Sequence, residues 1–433
     1  MSDITASIAP PLPTASDRLK FYGMWIAAAV VLLVLPQIFS SGSSLTTFSL
    51  VGISIIFSLS YNILLGQTGM LSFGHAVYYG LGGFLVIHSL NIISANKLPI
   101  PLPVTPLIGG FAGLVFAALL GWVSTRRSGT VFAMISLGLA ELIASSALIL
   151  RTFFGGEAGI SANRTKVFRL FNWSFGPQIQ IYYLVAAWTL IAIIAMYALT
   201  RTPLGRMCNA VRDNPERVQF VGYDPHVVRY IAFCFAGLFA GIAGSLAAIN
   251  FEIANSAYLG ATQSGTVLFS TYIGGVGFFI GPIVGAIFVT LLSLGLSDLT
   301  AVWQLYFGLI FIAVVMFAPG GITGLLMMHR PLLKAGTLNR IVPSYLIALI
   351  PTFAMIVGFV LIIETVVHFS VNPDDDSHIK AFGMPFDAAS PFIWGLAAVL
   401  AVGGFLVARI TWKKVGHAWD EASGIAREKG ITL

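Results

Sequence analysis

The sequence predicts an all-α integral membrane protein, a polytopic bundle of about ten to twelve transmembrane helices. Of its 433 residues, 57% are hydrophobic and 9% are charged, whereas soluble domains carry about a quarter charged residues. Apolar runs such as YLVAAWTLIAIIAMYAL are continuous, and a helix needs about 20 such residues to cross the hydrocarbon core. Strands of a membrane barrel alternate apolar and polar residues instead. A β-barrel is therefore disfavoured.

Twelve apolar stretches are candidate spans: 21–39, 46–65, 76–94, 104–123, 130–150, 180–200, 230–251, 263–280, 282–296, 303–319, 344–366 and 391–411. The first 20 residues are polar and Pro-rich without a signal-peptide cleavage pattern, so we expect the first span to be retained. The eighth and ninth stretches meet in GGVGFFIGPIVGA. Glycines and proline interrupt helices, which predicts a break between Gly274 and Pro282.

The distribution of charge predicts orientation and a division of the chain. With the N-terminus inside, only six of the 23 Lys and Arg residues fall outside: Lys97, Arg151, Arg164, Lys166, Arg169 and Lys380. The positive-inside rule therefore places both termini in the cytoplasm. The polar segment HRPLLKAGTLNR begins near residue 330. We expect a cytoplasmic tail at 1–20, a permease domain at 21–329, and a C-terminal extension at 330–433 with two further helices and a cytoplasmic tail.

The sequence lacks the motifs that would indicate nucleic-acid binding, a zinc site or the common classes of enzyme. The net charge of +6 comes without a basic patch that interleaves aromatic residues, so no nucleic-acid partner is expected. Cys208 and Cys234 lie far apart in sequence, which disfavours a disulfide framework or a zinc site. The chain contains no phosphate-binding loop, no G-x-S-x-G elbow and no H-E-x-x-H pair. We expect no enzyme, no metal and no cofactor.

The most informative stretch is RTPLGRMCNAVRDNPERVQFVGYDPHVVRY, which follows the sixth span. Asp213 or Asn214 can cap a short helix that begins at Pro215, and Gly222 can end it; Asp224 repeats the cap signal before the next span. A rigid helix held off the membrane can present Val218, Phe220 and Val221 to a partner's groove. An ordinary capped juxtamembrane helix explains the same residues, so both interpretations stay open.

A second stretch, YNILLGQTGMLSFGHAVYYGLGGF, predicts a helix break between Gly66 and Gly74. Glycines and polar residues interrupt the apolar run together: Gly66, Gln67, Thr68, Gly69, Ser72, Gly74 and His75. Broken helices in transporters expose helix ends that bind substrates, and such backbone must face protein or water. A short cytoplasmic turn between two complete helices is the alternative. His75 lacks a second ligand at metal-binding spacing and is expected to serve in packing or a polar network.

Glu141 lies near the middle of the fifth span, in MISLGLAELIASSAL. A carboxylate at mid-membrane is costly unless it is paired or faces a cavity, so we expect Glu141 to face the interior of the bundle. It can line a pathway, or it can lock helices together through hydrogen bonds. In the seventh span, small residues at positions such as Gly237 and Gly241 recur with a spacing of four, which predicts close helix packing.

At these residues the sequence resembles the branched-chain amino acid ABC transporter permease family, in its LivM-type membrane subunit. Four motifs match in order, over roughly residues 45–326: YNILLGQTGMLSFGHAVYYGLGGF, GTVFAMISLGLAELI, TPLGRMCNAVRDNPERVQFVGYD, and IGGVGFFIGPIVGA followed by FAPGGITGLL. The third and fourth are the specific ones. The segment 330–433 extends beyond the usual end of the family pattern.

The resemblance implies an importer of the bacterial inner membrane. This subunit would pair with a homologous permease, two cytoplasmic ATPase subunits that bind ATP, and an extracytoplasmic binding protein for a small-molecule substrate. The ATPase-coupling loop is expected at 201–229, and the residues that match it are Gly205, Arg206, Ala210, Arg212, Asp213, Asn214 and Gly222. The candidates for the substrate pathway are Gln67, Ser72, His75 and Glu141.

Two alternatives to branched-chain amino acid import stay open. Permeases for urea and short amides look similar to this sequence. A stand-alone secondary transporter or channel is the alternative from another class, and it would need ion-coupling acids within the bundle. Glu141 is the acid that the central spans offer.

Overall fold

The computed structural model describes residues 15–168, 173–371, 378–381, 384–387 and 390–429. The chain divides into two compact units, one formed by Met1–Tyr272 with Gly285–Thr290 and the other by Ile273–Val284 with Leu291–Leu433. In these residues helices predominate, and the strands are short and form two-stranded antiparallel pairs. The predicted all-α, multi-span architecture is confirmed.

In the part of the chain that the structure describes, the first unit contains ten α-helices and most of an eleventh. They are α1 (Ala15–Ile38), α2 (Gly42–Asn62), α3 (Ala76–Ala95), α4 (Pro106–Ser124), α5 (Thr130–Ile149), α6 (Arg151–Phe154), α7 (Gln178–Arg201), α8 (Pro203–Asp213), α9 (Pro215–Phe220), α10 (Pro225–Phe251) and α11 (Ala261–Gly274). A short ladder pairs β1 (Ile160–Ser161) with β2 (Ile253–Ala254). The helix α10 packs against α4, α3 and α2, and so forms the centre of this unit.

Glycines bring α4 and α10 into backbone contact. A Cβ atom added at Gly113 would meet the carbonyl oxygen of Gly237 and lie 3.0 Å from the Cα atom of Gly241. Small residues allow helices in a membrane to approach closely, because close contact replaces the hydrophobic effect there as a source of association. The predicted close packing around α10 is therefore confirmed.

The two predicted breaks coincide with helix ends. The helix α2 continues as a π-helical turn, Ile63–Gln67, and the chain then runs without regular helix until α3 begins at Ala76. Gly69 has a φ of 70° in this connection, which a residue without Cβ adopts at little cost. The helix α11 ends at Gly274, and the next helix begins at Gly281.

The second unit contains the C-terminal helices. They are α12 (Gly281–Leu299, whose residues Gly285–Thr290 belong to the first unit), α13 (Trp303–Phe317), α14 (Gly321–Ala335), α15 (Leu338–Val371), α16 (Pro391–Ala398) and α17 (Gly404–Glu428). A π-helical turn, Val399–Gly403, joins the last two, and β3 (His378–Ala381) pairs with β4 (Met384–Asp387) before them.

Among the described residues, nine helices are long and apolar enough to cross a membrane, or ten if α13 and α14 form one bent span. The predicted number of membrane spans, about ten to twelve, therefore agrees with the structure at ten, when α13 and α14 are counted as one span. The predicted span 263–280 is the main reason, since α11 has 14 residues, fewer than the ~20 that cross the hydrocarbon core. The first predicted span, 21–39, falls almost entirely within α1, a helix of 24 residues whose segment Trp25–Ile38 is apolar. The three-part division of the chain stays a prediction.

Candidate functional site

The segment between α7 and α10, which we call the coupling loop (residues 202–224), is a pair of capped helices. Asn214 Oδ1 accepts a hydrogen bond of 3.0 Å from the backbone N–H of Arg217, which caps α9 at Pro215. Asp224 Oδ1 accepts one of 2.8 Å from His226 and caps α10. Gly222, with a φ of 90°, follows α9. The predicted caps and stop are confirmed, with Asn214 rather than Asp213 as the cap.

The helix α8 was missed in the sequence, although a signal for it is present. Thr202 Oγ1 accepts a hydrogen bond of 3.3 Å from the backbone N–H of Gly205, and Pro203 occupies the first helical position. A threonine before a proline is a common start of a helix. The consequence is a longer rigid loop than the single short helix that the sequence analysis considered.

One face of the coupling loop is apolar and exposed. Phe220 is 89% exposed and Val221 70%, and Tyr223 beside them is exposed as well. Val218 was expected to join this surface, but it is 4% exposed. Its position in α9 turns it towards the body of the loop, because residues two apart on a helix face different directions. Phe220, Val221 and Tyr223 form what we call the apolar tip.

The family-matched residues of the coupling loop divide between its faces. Arg206 and Asp213 are exposed, whereas Gly205 is buried in the turn between α7 and α8. A Cβ atom at Gly205 would lie 2.5 Å from the carbonyl oxygen of Leu199, so this turn requires glycine. Ala210 is half-buried. Arg212 extends from α8 to the break after α2, where its Nη1 donates to the carbonyl oxygen of Gly66.

Gln67 also lies against the coupling loop. With Ile63 it lines a small apolar cavity whose opposite wall includes Leu204 and Cys208. Burial raises the pKa of the Cys208 thiol to about 12, so the thiolate is scarce at neutral pH and the residue is chemically inert in this position. The structure therefore brings Gln67 together with the coupling loop rather than with the other pathway candidates.

Ser72 and His75 are completely buried in the break. The Ser72 carbonyl accepts a hydrogen bond of 2.9 Å from the hydroxyl of Tyr61, and His75 Nε2 lies 2.9 Å from the Oγ of Ser60. His75 Nδ1 is buried without a hydrogen-bond partner among the described residues. Phe57 stacks on the imidazole with ring centroids 5.4 Å apart. In this conformation both residues belong to a packed polar and aromatic network.

The break also meets the helix that carries Glu141. The backbone N–H of Phe73 donates to Ser136 Oγ over 3.1 Å, and a Cβ atom at Gly74 would lie 3.3 Å from that of Ala140. Glu141 itself is exposed. The expectation that it faces the interior of its own bundle is wrong, because α5 buries the face with Ser136 and Ala140 and the next residue turns by about 100°.

The loop before α7, at the end of that helix opposite the coupling loop, contains a buried cation whose role was not predicted from the sequence. The side chain of Arg164 is 10% exposed. Its guanidinium donates to the carbonyl oxygens of Phe175, Ile249 and Asn250 at distances of 2.8–3.2 Å. Its backbone N–H donates to Glu252 Oε1 over 2.9 Å. Arg164 therefore caps the C-terminal end of α10, where unpaired carbonyl groups favour a cation.

Residues 43–319 match the family described as "Branched-chain amino acid transport system / permease component". The chain belongs to this permease family. The match includes the break, α5 and the coupling loop, and it ends before α14. The protein is thus a multi-pass membrane permease, and its relatives are components of transport systems.

Three relatives illustrate the range of the family. The high-affinity branched-chain amino acid transport system permease protein LivM of Escherichia coli (strain K12) is 26% identical over 344 residues, 75% of this chain and 79% of that protein. The corresponding LivH protein is 24% identical over 274 residues, 58% of this chain and 82% of that protein. The ribose import permease protein RbsC of Haemophilus influenzae is 23% identical over 314 residues, 70% and 92% of the two chains. No solved structure matches the chain.

Proposed function

We propose that this permease is one membrane subunit of an ATP-binding-cassette importer for branched-chain or related small amino acids. ATP would bind and be hydrolysed on separate cytoplasmic subunits. A homologous second permease and an extracytoplasmic binding protein would complete the transporter. The family match and the similarity to both LivM and LivH support this assembly.

The apolar tip is the observation that carries the proposal. Phe220 and Val221 project from a rigid pair of helices outside the membrane-spanning segments. Contiguous apolar surface in water marks interaction sites, and two capped helices hold this surface in place without further ordering. Arg206 and Asp213 supply charged groups on the same loop. An ATPase subunit with an apolar groove bordered by charged residues fits such a surface.

The orientation follows from where the loops lie. Trp122, at the end of α4, lies 5.3 Å from His226, at the start of α10, so Arg126 and Arg127 share an end of the first unit with the coupling loop. The positive-inside rule assigns this end to the cytoplasm. We propose from the distribution of Lys and Arg along the chain that both termini are cytoplasmic and that the membrane is the bacterial inner membrane.

The exposed face of α5 is proposed to line the substrate pathway at the boundary with the second permease. A carboxylate in the middle of a span is costly in contact with lipid, and Glu141 is exposed in the single chain. Contact with a partner subunit or with a water-filled pathway removes that cost. Gln67, Ser72 and His75 stay candidates that would need the break to move before they met a substrate.

Co-purification with a Walker-motif ATPase tests the proposal. The double variant Phe220→Ser/Val221→Ser should lose the ATPase while the chain itself stays folded, because both side chains are exposed. Phe168→Ser is the matched control, since Phe168 is an exposed aromatic residue in the loop at the other end of α7. Equal ATPase recovery with both variants would contradict docking at the apolar tip.

Reconstituted uptake tests the transport reaction and its substrate. Uptake of leucine, isoleucine or valine should require ATP, the ATPase and the binding protein together. Uptake of urea or short amides in preference would reassign the substrate. Ion-driven uptake by the purified single chain would overturn the assembly that we propose.

A further inference from the structure

Arg212 joins the coupling loop to the broken helix. Its Nη1 donates to the carbonyl oxygen of Gly66, in the π-helical turn that ends α2. Its Nε donates to Asp213 Oδ1 over 3.0 Å. The guanidinium therefore lies between a loop carboxylate exposed to solvent and a main-chain acceptor of the break, although Arg212 and Gly66 are 146 positions apart in the sequence.

The contact at Gly66 satisfies a helix end. The backbone N–H groups of Gly69 and Met70 donate to the carbonyl oxygens of Leu65 and Leu64, so these two acceptors are already used within the turn. The last carbonyl groups of a helix lack partners within the helix, and a cation at that end is favourable. Arg212 supplies both the donor and the charge from outside the helix.

The turn is shaped to receive the side chain of Arg212. Gly69 has a φ of 70°, and a Cβ atom there would lie 3.0 Å from Arg212 Cγ. Glycine thus permits both the left-handed backbone and the approach of the arginine's aliphatic part. The adjoining π-helical turn, Ile63–Gln67, belongs to a rare class that often occurs at functional sites. The cavity beside Cys208 borders the same turn.

One polar group in this cavity is unsatisfied. Gln67 Oε1 is buried without a hydrogen-bond partner among the described residues. A buried acceptor without a partner raises the free energy of the conformation that holds it there. The contact between the coupling loop and the break therefore combines a hydrogen bond from a charged group at Gly66 with an unsatisfied buried acceptor at Gln67. Because a favourable and an unfavourable contribution lie side by side, this contact is suited to form and break.

We propose that Arg212 is a positioning residue that transmits movement of the coupling loop to the broken helix. It holds residues 63–75 in the conformation seen here, and displacement of α8 removes the cap from Gly66. This inference rests on the proposed function, since a docked ATPase would supply the displacement. Arg206 has a different role, because in the described residues no hydrogen bond joins its exposed side chain to the break, so it is available to the partner.

Alkylation of Cys208 tests the cap without any partner subunit. In a Cys234→Ser background, Cys208 is the remaining cysteine of the chain. It is buried beside the turn, so its reaction with a maleimide requires local opening. Arg212→Ala should raise the reaction rate about tenfold, the effect of losing one hydrogen bond from a charged group. Arg212→Lys, which keeps the charge and loses the planar fork, should give an intermediate rate.

Arg127→Ala is the matched control, since Arg127 is an exposed arginine after α4, at the same end of the unit. Its rate should equal that of the parent chain. Size-exclusion profiles should show that every variant is folded. An unchanged rate of Cys208 alkylation in a folded Arg212→Ala variant would contradict the proposal that Arg212 caps the carbonyl group of Gly66.

Transport assays test the transmission itself. In the assembled importer, Arg212→Ala should raise the number of ATP molecules consumed per substrate molecule imported, whereas Arg206→Ala should lower recovery of the ATPase. An unchanged ratio for Arg212→Ala, with normal transport by the parent, would overturn the inference alone. Absence of ATP-driven transport by the parent would overturn the proposed function, and the alkylation result would still decide whether Arg212 caps the turn.

Discussion

At the scale of single residues, Arg164 shows that a cation can stabilise the folded structure without following the positive-inside rule. It is one of the six cations that the positive-inside rule leaves outside. Burial lowers the pKa of its guanidinium, and the nearby Glu252 carboxylate opposes that shift. An arginine keeps its proton at neutral pH, and four main-chain carbonyl oxygens accept its hydrogen bonds. The charge is thus neutralised by local contacts.

We expect Arg164→Met to lower the free energy of unfolding by about 2–4 kcal/mol, because hydrogen bonds from a charged group are lost and buried acceptors stay unpaired. Thermal unfolding of the purified chain measures the effect. Lys166→Met removes an exposed cation two residues away and should change the midpoint little. Equal midpoints for the two variants would contradict the structural role of Arg164.

Glu141 gives a second prediction at this scale. Glu141→Gln should leave the chain folded, since the side chain is exposed and the amide has nearly the same volume. Transport persists if the residue only donates and accepts hydrogen bonds at a subunit boundary, and it falls if the pathway requires a negative charge. Uptake measured at equal levels of assembled transporter separates the two. Loss of assembly in this variant would place Glu141 in subunit contact rather than in the pathway.

At the scale of helices, local signals predicted more than periodicity did. Asn214 and Asp224 cap helices as their sequence positions indicated, because capping depends on a few adjacent residues. The length of α11 and the placement of Glu141 were not predictable in this way. Whether an apolar stretch spans the membrane, and which face of a helix is covered, depends on neighbours far away in sequence. The contact between Arg212 and Gly66 was inaccessible for the same reason.

The glycines between α4 and α10 give a prediction for helix packing. Gly241→Ala places a methyl group against the carbonyl oxygen of Gly109, and it should lower thermal stability by about 1–3 kcal/mol, the usual cost of overpacking. Gly138→Ala on α5 meets no atom within 4 Å and should be neutral or slightly stabilising, since alanine favours helix. A fluorescence-based unfolding assay compares the two. Similar stability for both variants would contradict close contact at Gly241.

At the scale of the whole molecule, the C-terminal helix α15 is hydrogen-bonded to residues that precede residue 330. Glu364 Oε1, on α15, accepts hydrogen bonds of 2.7 Å from Thr300 Oγ1 and 2.9 Å from the hydroxyl of Tyr306. Lys429, after α17, donates to the carbonyl oxygen of Ala335 over 2.8 Å. The segment after residue 330 thus has specific partners within its own unit.

Truncation after about residue 330 should lower expression or assembly more than it alters substrate preference, because Thr300 and Tyr306 lose their acceptor and the family match ends at residue 319. Glu364→Leu should show a milder form of the same defect. Yield of assembled transporter and competition uptake measure the two effects separately. A well-assembled truncated transporter with altered selectivity would show that the extension shapes the pathway.

The backbone contact between α4 and α10 has a consequence for how the protein tolerates sequence change. At Gly52 an added methyl group would lie 2.8 Å from the side-chain oxygen of Thr189, so a smaller residue at 189 can restore the space. At Gly113 the nearest atoms belong to the main chain of Gly237 and Gly241, and no side chain there can be shortened. A suppressor screen should recover compensating substitutions at position 189 for Gly52→Ala. For Gly113→Ala, compensation has to come from substitutions that shift an entire helix.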